Sequence, residues 1–371
     1  MDKRFSIFLS ALFCLFLGGM LAVSTLLPDR EKSELENRSL QQVPILSLEK
    51  LWNGEFMKSA EKYAEDQLAG RDLWVALQAW CERLTGKREN NGVYFGAEET
   101  LLNRVKEPEE DKLAQAMEHL DRLVSNLDVP VYFGLIPSAA EIWSGRLPQG
   151  APTADERALI DRLYRSTRAE TIDLYGYLSA HAGEDIYYRT DHHWTSRGAY
   201  YGYAALMEAI GQEALPLESM APVTVTEDFN GTSFSASGVR WLPPDSIQTY
   251  VPDQGNEVTS WFFGKPEAGS LYVPSYLDVK DKYSYFLGGV QALCVVRTQS
   301  EGPRVLLVRD SYSDSLTPFL TRHFSEIHLM DLRYNRNSIK DYVQENGIDQ
   351  VVVLYSIPNF ISDQNLFLLG R

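Results

Sequence analysis

The sequence predicts an α/β fold in which a parallel sheet is covered by helices on both faces. Nearly continuous apolar runs, such as VPVYFGLIP (129–137) and RVLLVRD (304–310), are typical of strands that are buried on both faces. Segments with apolar residues every three or four positions separate these runs and predict amphipathic helices. Strands that alternate with helices favour a parallel sheet, because each helix carries the chain back to the start of the next strand.

An uncharged run from Phe5 to Leu27 follows Lys3 and Arg4 at the start of the chain. As a helix it would be about 34 Å long, enough to cross a bilayer core of about 30 Å. The positive charges before the run place the N-terminus in the cytoplasm. We therefore expect residues 1–27 to be a single-pass membrane anchor with the body outside the cytoplasm. The alternative is a cleaved signal peptide and a secreted body, although the apolar region of such a peptide is normally about 7–15 residues long.

The next elements are predicted in chain order. Residues 28–46 are polar and form a tether, and the apolar spacing from Ser47 to Leu84 predicts helices with a break near Ala69-Gly70. The segment NNGVYFG (90–96) starts with a turn and enters a short strand. Further predictions are helix 107–126, strand 129–137, helix 153–169, strand 171–178 and helix 195–211.

The region of about 215–300 changes character, with short β-type runs between turns, and is predicted to be an inserted hairpin or small sheet. The α/β alternation then returns and completes one domain over residues 47–371. Its last predicted elements are strand 304–310, helix 313–323, strand 326–332, helix 338–346, strand 351–356 and a closing helix.

Charge and cysteine content exclude some classes of function. The formal net charge of −16 argues against a nucleic-acid partner, because an acidic surface repels phosphate backbones. Outside the apolar N-terminal run there are two cysteines, Cys81 and Cys294, each in an apolar context. Neither a disulfide framework nor a thiolate metal site is predicted from them.

Ser311 is the candidate nucleophile in the segment VLLVRDSYSDSLTPFL (305–320). Asp310 and Ser311 follow a predicted buried strand, and sites in open α/β sheets form at the carboxyl ends of strands. A serine there lies near the first turn of the next helix, whose N–H groups could stabilise an oxyanion. The alternative is a serine that only caps that helix, and Ser313 is the second candidate for the nucleophile.

The segment RTDHHWTSRGAY (189–200) offers the groups that activate a serine. Serine needs a base, usually a histidine that a carboxylate orients, and His193 and Asp191 could supply both. His193 precedes Ser311 by 118 residues, so the triad requires a fold that brings the two segments together. A capping aspartate and histidines that pack near Trp194 are the alternative.

Several segments together resemble the DHHW protein family, which is related to the alginate O-acetylation proteins. They are DHHW itself (191–194), RDSYSDSLTPFL (309–320), SELENRSL (33–40), IPSAAEIW (136–143) and FNGTSFSASG (229–238). The resemblance extends from about residue 33 to the end and implies an SGNH-hydrolase-like fold. In the alginate relatives an Asp-x-His pair and a distant Ser form the triad, which implies those roles for Asp191, His193 and Ser311. His192 falls at the variable position between the first two.

The sequence departs from the family pattern near the predicted site. Ser311 follows Arg309-Asp310 rather than Gly-Asp, and Val290 stands where a polar residue such as Asn is expected after two glycines. Backbone N–H groups could still form the oxyanion hole. The candidates for the oxyanion hole or for substrate contact are Gly288, Gly289, Arg333, Tyr334, His192 and Trp194.

The resemblance implies an exported, membrane-anchored O-acyltransferase, in the simplest case an O-acetyltransferase, that acts on a cell-surface or secreted polysaccharide. The implied partners are the polysaccharide acceptor and a membrane-bound O-acyltransferase that supplies the acyl donor; no cofactor is predicted. One alternative is a carbohydrate esterase of the same fold, because a triad does not decide whether a sugar hydroxyl or water resolves the acyl-enzyme. Another is a non-catalytic polysaccharide-binding or scaffold protein. A metal-dependent phosphoesterase is a third, but the sequence lacks the further aspartate motifs of that class, and no metal is predicted.

Overall fold

Two units make up the part of the chain that the computed structural model describes, residues 3–262 and 264–371. The first unit contains the described residues up to Asn90 together with Gly238–Trp241, and the second contains Asn91–Ser237 and Leu242–Arg371. Residues 1 and 2 of the predicted anchor and residue 263 of the predicted β region lie outside the described residues.

The first unit is mainly helical. Its longest element is α1 (Lys3–Leu26), an apolar helix that is long enough to cross a membrane and has features that a signal sequence shares. The break predicted near residue 70 is confirmed, because Gly70 adopts a left-handed φ of 66° between two helices. The other elements of this unit are β1 (Lys32–Ser33), β2 (Arg38–Ser39), α2 (Leu48–Trp52), α3 (Glu55–Asp66), α4 (Arg71–Leu84) and β3 (Glu89–Asn90).

A sheet of eight strands forms the centre of the second unit. The strands of this unit are β4 (Val93–Phe95), β5 (Leu101–Asn103), β6 (Val131–Ile136), β7 (Glu170–Thr171), β8 (Val223–Phe229), β9 (Asp245–Thr249), β10 (Glu257–Trp261), β11 (Pro266–Gly269), β12 (Leu293–Arg297), β13 (Arg304–Arg309), β14 (Glu326–Met330) and β15 (Gln350–Ser356). The order in the large sheet is β11-β10-β12-β14-β13-β15-β6-β7. From β14 to β7 the strands are parallel, and from β11 to β14 they are antiparallel.

The predicted β-rich region is only partly separate from this sheet. β8 and β9 pair with each other in an antiparallel ladder. In contrast, β10, β11 and β12 extend the large sheet, where β12 runs antiparallel to β14. The sequence pattern alone could not assign these short strands to a sheet, because their pairing partners are distant in the chain.

Helices cover both faces of the sheet. The helices of this unit are α5 (Glu110–Asn126), α6 (Ala139–Ile142), α7 (Glu156–Ser166), α8 (Leu174–Ala180), α9 (Ser196–Ala209), α10 (Thr232–Ser237), α11 (Tyr312–Leu320), α12 (Ile339–Asn346) and α13 (Ile357–Ser362), with 3-10 turns at Ser144–Arg146, Leu217–Ser219, Pro274–Asp278, Lys282–Tyr285 and Leu366–Gly370. Residues of β13 alternate between the two core layers: Val305 and Leu307 pack with α9 and α11, and Leu306 and Val308 pack with α5, α7 and α12. This alternation explains why the strand has to be apolar throughout.

The strand predicted at 171–178 is wrong. Only Glu170–Thr171 pairs with β6, and the chain then forms α8. Asp173 accounts for the difference, because its side chain accepts a hydrogen bond from Gly176 N–H and caps a helix. The tyrosines of this segment favour strands by propensity, but the cap and the burial of Leu174 and Leu178 override that preference.

Candidate active site

Ser311 lies between the carboxyl end of β13 and the first residue of α11. Its side chain does not cap α11; its Oγ lies 2.8 Å from Nε2 of His193. The carboxylate of Asp310 takes the capping position, where Oδ1 accepts from Tyr312 N–H at 3.1 Å. The hydroxyl of Ser311 is therefore directed at a base, not at the helix backbone.

Asp310 also fixes the turn that carries Ser311. Its fully buried Oδ2 accepts hydrogen bonds from Ser356 N–H at 2.8 Å, from Ser356 Oγ at 2.6 Å and from Asn359 Nδ2 at 2.7 Å. These donors lie at the end of β15 and in α13, so the ends of two neighbouring parallel strands are held together. Three donors on one carboxylate oxygen compensate for the burial of its charge.

A tight loop before α9 positions Asp191 and His193. Tyr187 and Trp194 form an antiparallel bridge that closes the loop, and Thr195 caps α9 directly after it. Within the loop, Asp191 Oδ1 accepts from the backbone N–H of His193 at 2.9 Å and lies 2.6 Å from its ring Nδ1. The two residues are thus locked in one local conformation before any substrate is present.

The three side chains form a continuous chain of hydrogen bonds from Ser311 through His193 to Asp191. A carboxylate only accepts, so Nδ1 of His193 carries the hydrogen and Nε2 has its lone pair directed at the hydroxyl of Ser311. This is the tautomer that a general base requires. The parallel sheet brings the segments together across 118 residues of sequence.

The carboxylate of Asp191 is held by a second set of donors in the segment FNGTSFSASG. Oδ2 accepts from Thr232 N–H at 2.7 Å and from Thr232 Oγ1 at 2.8 Å. Gly231 permits this approach, because a Cβ there would lie 2.2 Å from Asp191 Cβ. Burial alone would raise the pKa of Asp191, but the neighbouring histidines and the hydrogen bonds from His193 and Thr232 lower it well below its ordinary value. Asp191 is therefore ionised at neutral pH.

Aromatic rings enclose the imidazole of His193. Tyr283 stacks on it with the ring centroids 3.8 Å apart and the planes 9° apart, and Tyr312 lies at 5.0 Å. The hydroxyl of Tyr283 donates to Ser311 O at 3.2 Å. These contacts limit the rotation of the imidazole, and they keep His193 95% shielded from solvent.

Trp194 packs on the buried side of the site. Its side chain is fully buried, and its Nε1–H donates to Tyr312 O at 2.9 Å and contacts Ser315 Oγ at 3.0 Å. A direct contact with substrate, which the sequence suggested, is incompatible with this burial. Trp194 instead joins the loop of His193 to the first turn of α11.

His192 is half-buried beside the chain of three. Its Nδ1 lies 2.6 Å from Thr232 Oγ1, whose own hydrogen is donated to Asp191. Nδ1 of His192 must therefore be the donor, which leaves Nε2 as an acceptor. Burial, followed by the electrostatic effect of His193, lowers the pKa of His192 to about 4, against the opposing charge of Asp191.

Arg333 and Tyr334 lie at the exposed edge of this region. Arg333 forms a two-point ion pair with Asp331, with Nη2 2.6 Å from Oδ2, and its charge contributes to the lowered pKa of His192. The side chain of Tyr334 is 56% exposed, with the Arg333 guanidinium 5.6 Å from its ring. Both are accessible enough to contact a substrate, and that role remains a prediction.

Comparison with known proteins places the chain in a family. The model of the DHHW protein family matches residues 129–330, which is more than half of the chain. The chain is a DHHW protein. The resemblance inferred from the sequence is thereby confirmed, and the matched region includes Asp191, His193 and Ser311.

Several solved structures are similar to this DHHW protein. A DHHW family protein from Eubacterium siraeum is 24% identical, with a TM-score of 0.67, over 76% of this chain and 96% of that chain. PatB1 of Bacillus cereus, solved with a sulfonyl adduct, is 20% identical, with a TM-score of 0.59, over 74% of this chain and 97% of that chain. The O-acetyltransferase domain of Pseudomonas putida AlgJ is 16% identical, with a TM-score of 0.45, over 73% of this chain and 93% of that chain. A search of the curated proteins finds no match.

The two glycines of the DHHW protein that were predicted to form an oxyanion hole differ in their contacts. Gly288 and Gly289 adopt left-handed φ values of 83° and 91°. The N–H of Gly288 donates to Ser284 O at 3.1 Å and is therefore engaged within its own turn. An oxyanion role for Gly288 would require this bond to break, whereas the role of Gly289 remains a prediction.

Arg309, the residue that departs from the Gly-Asp pattern, forms a buried ion pair. Its Nη1 lies 3.0 Å from Oδ1 of Asp314 in α11, and both side chains are almost completely buried. Burial raises the pKa of Asp314 to about 7, and the charge of Arg309 opposes that shift. The arginine thus compensates for a carboxyl group that the helix places in the interior behind Ser311.

Asp191, His192 and His193 also present ligand atoms within 4.8 Å of one another, as a metal site would. Both oxygens of Asp191 and both ring nitrogens of His193 are already engaged in hydrogen bonds. A metal ion could bind only by replacing several of them. That the protein has no metal cofactor remains a prediction, which treatment with a chelator tests.

Sequence reasoning missed three residues that contact the site directly. Gly231 and Thr232 belong to a segment that carried the family resemblance, but nothing in the segment indicated a contact with Asp191. Tyr283 lies in the predicted β region, and no local pattern connects it with His193. The only available signal was the family motif itself, which names residues without giving their contacts.

Proposed function

We propose that this DHHW protein is an exported, membrane-anchored O-acyltransferase that transfers an acetyl group to a cell-surface or secreted polysaccharide. The observation that carries the proposal is the chain of hydrogen bonds from Ser311 Oγ to His193 Nε2, at 2.8 Å, and from His193 Nδ1 to Asp191, at 2.6 Å. Nucleophile, base and orienting carboxylate have the geometry of serine acyl transfer.

The first half-reaction forms an acyl-enzyme. Ser311 Oγ attacks the carbonyl carbon of the donor ester while its proton passes to Nε2 of His193. Asp191 retains the hydrogen bond to Nδ1–H and stabilises the imidazolium that forms. The tetrahedral intermediate then collapses, the bond to the donor oxygen breaks, and Nε2 returns the proton to the leaving group.

The second half-reaction resolves the acyl-enzyme. A hydroxyl group of the acceptor gives its proton to Nε2 and attacks the ester carbonyl. The tetrahedral intermediate collapses, the bond to Ser311 Oγ breaks, and Nε2 returns the proton to Ser311 Oγ as the acylated product forms. The positive end of the α11 dipole lies next to Ser311 and favours the negative charge of an oxyanion in both steps. His192, Arg333 and Tyr334 are the proposed contacts for the acceptor.

The proposed partner follows from the place where the acyl donor is needed. An acyl donor has to reach a site outside the cytoplasm, so we propose that a membrane-bound O-acyltransferase delivers it. The apolar helix α1 would anchor the protein in the same membrane. Mass spectrometry of the mature protein from the membrane fraction tests the anchor, because cleavage would remove the mass of α1.

The catalytic proposal is tested with the full-length protein in detergent. The protein is incubated with phenylmethylsulfonyl fluoride, a probe suggested by the sulfonyl adduct of PatB1, and separately with an acetyl ester, and its intact mass is followed. Ser311→Ala should abolish both adducts, since its Oγ is the attacking atom. Ser313→Ala is the matched control: Ser313 lies two residues after Ser311 and is fully buried, so this variant should keep both adducts.

Addition of an oligosaccharide separates the remaining alternatives. Acetyl transfer to the acceptor, dependent on Ser311, supports the transferase. An acetyl adduct that is released only as acetate supports an esterase of the same fold. If neither probe modifies the wild-type protein, the non-catalytic polysaccharide-binding protein becomes the better explanation.

A further inference from the structure

The helix α4 in the first unit has its apolar side facing outward. Leu73 and Leu84 are 71% and 78% exposed, whereas Ala79 on the opposite side is completely buried. The exposed apolar residues recur at helical spacing and form one stripe, which we call the α4 stripe: Leu73, Trp74, Leu77, Trp80, Cys81 and Leu84. A helix on a water-exposed surface normally has the reverse pattern.

The inward side of this unit is charged. Arg71 at the start of α4 pairs with Glu36 at 2.8 Å, and Arg38 pairs with the buried Asp66 at 2.5 Å. Ion pairs and hydrogen bonds therefore stabilise the interior of the first unit, while leucine and tryptophan side chains of α4 face outward. An exposed apolar surface of this extent marks a site of interaction with another apolar phase or molecule.

Contacts with α1 indicate which phase covers the stripe. Ser24 near the end of α1 accepts from Ala69 N–H at 3.0 Å, just before α4 begins. The ring of Trp74 packs edge-on against Phe16, with centroids 6.3 Å apart. Phe16 lies about 12 Å below Ser24 along α1, from the helical rise. The start of α4 therefore lies beside the C-terminal half of the helix that is long enough to cross a membrane.

A second exposed apolar helix belongs to the same unit. In α2, Leu48 and Trp52 are 87% and 95% exposed and lie four residues apart on one side. Tryptophan is enriched at membrane–water interfaces, where its ring lies among the headgroups. By contrast, the exposed residues of α3 include Glu61 and Lys58, which are suited to water.

We infer that α4 lies at the extracytoplasmic membrane–water interface, with the α4 stripe inserted into the boundary between lipid headgroups and acyl chains. The inference rests on the proposed retention of α1 as an anchor. The apolar side of such interfacial helices inserts by about 5–10 Å, which is enough to cover leucine and tryptophan side chains. The contacts of Ala69 and Trp74 with α1 favour the bilayer as the occupant over a second copy of this chain.

Lipid-dependent quenching of fluorescence tests the inference on the full-length protein. The protein is reconstituted in phosphatidylethanolamine–phosphatidylglycerol vesicles that contain doxyl-labelled lipid. In a Cys14→Ser, Cys81→Ser background, the remaining Cys294 is buried. Single cysteines at Leu73, Leu77 and Leu84 carry an environment-sensitive fluorophore, and Glu61→Cys in α3 is the control. All four positions are exposed, so these substitutions leave no cavity in the core.

The expected result is strong quenching by doxyl lipid at the three stripe positions and none at position 61. Efficient quenching of the stripe labels by aqueous iodide, equal to that at position 61, would overturn the inference. So would cross-linking between stripe cysteines of two protein molecules without lipid quenching, because the stripe would then bind a second copy. The intact mass of the same sample shows whether α1 is present, so failure of the anchor is distinguished from failure of the stripe.

Discussion

Gly231 is the position where the addition of one methyl group should disable the site. A Cβ there would lie 2.2 Å from Cβ and 2.3 Å from Oδ2 of Asp191, whereas ordinary contacts begin at 3.4 Å. The φ of Gly231 is not left-handed, so Gly231→Ala tests the contact and not backbone strain. Asp191 would have to move by about 1 Å, and a displacement of this size costs on the order of 10²-fold in rate. This corresponds to about 2.7 kcal/mol in the activation barrier.

The assay compares rates and stability in the same samples. The rate of modification by phenylmethylsulfonyl fluoride and kcat/KM for an acetyl ester should both fall in Gly231→Ala. Gly183→Ala is the matched control, because a Cβ at that position meets nothing within 4 Å. Urea unfolding curves show whether the loss is local to the site. Wild-type rates in a folded Gly231→Ala protein would refute the claim that the packing against Gly231 positions Asp191.

Other substitutions test separate parts of the site. Asp191→Asn should lower kcat by about 10³–10⁴-fold, because an amide cannot accept from both His193 and the donors on the other oxygen; rates near those of the wild type would contradict the proposed role. Because the pKa of Asp191 is lowered, the wild type loses stability as the pH falls below the ordinary value near 3.8, and Asp191→Asn should reduce this loss. His192 has its pKa lowered from 6.5 to about 4, so the unfolded chain binds the extra proton and stability should fall from pH 6.5 to pH 4. His192→Gln should make the melting temperature depend less on pH between pH 6.5 and pH 4. If the melting temperature changes with pH as in the wild type, other groups cause the acid sensitivity. Trp194→Ala should reduce the free energy of unfolding by about 3–5 kcal/mol, measured with urea, because the side chain is fully buried; a loss below 1 kcal/mol would contradict its supporting role.

The central strands could be predicted because burial on both faces leaves few alternatives. The observed β6, β13 and β15 lie within the predicted segments or extend them by at most one residue. Each of these strands contributes apolar side chains to both core layers. The edge of the sheet could not be predicted in this way. β10, β11 and β12 have only four or five residues each. They belong to the large sheet because β12 pairs with β14 and β10 pairs with β12, and no local sequence pattern encodes this pairing.

The reacting groups of the site could be proposed from residue chemistry, whereas their supports could not. Ser311, His193 and Asp191 have side chains whose reactivity is known in advance, and the family resemblance linked them. Tyr283 contributes a ring face and a hydroxyl group, and Gly231 contributes the absence of a side chain. Tyrosine and glycine have many structural roles, so only the three-dimensional contacts assign them to the site.

The adjacent histidines of the DHHW segment are connected to one carboxylate. Oδ1 of Asp191 orients His193, and Oδ2 orients the hydroxyl of Thr232, which in turn receives the Nδ1–H of His192. The same ionised group thus fixes the tautomer of both rings, with both Nε2 atoms left as acceptors. One of these atoms faces Ser311. A sequence with a single histidine could supply the base but not a second oriented acceptor. The Nε2 atom of His192 is this second acceptor, which explains the use of a histidine between Asp191 and His193.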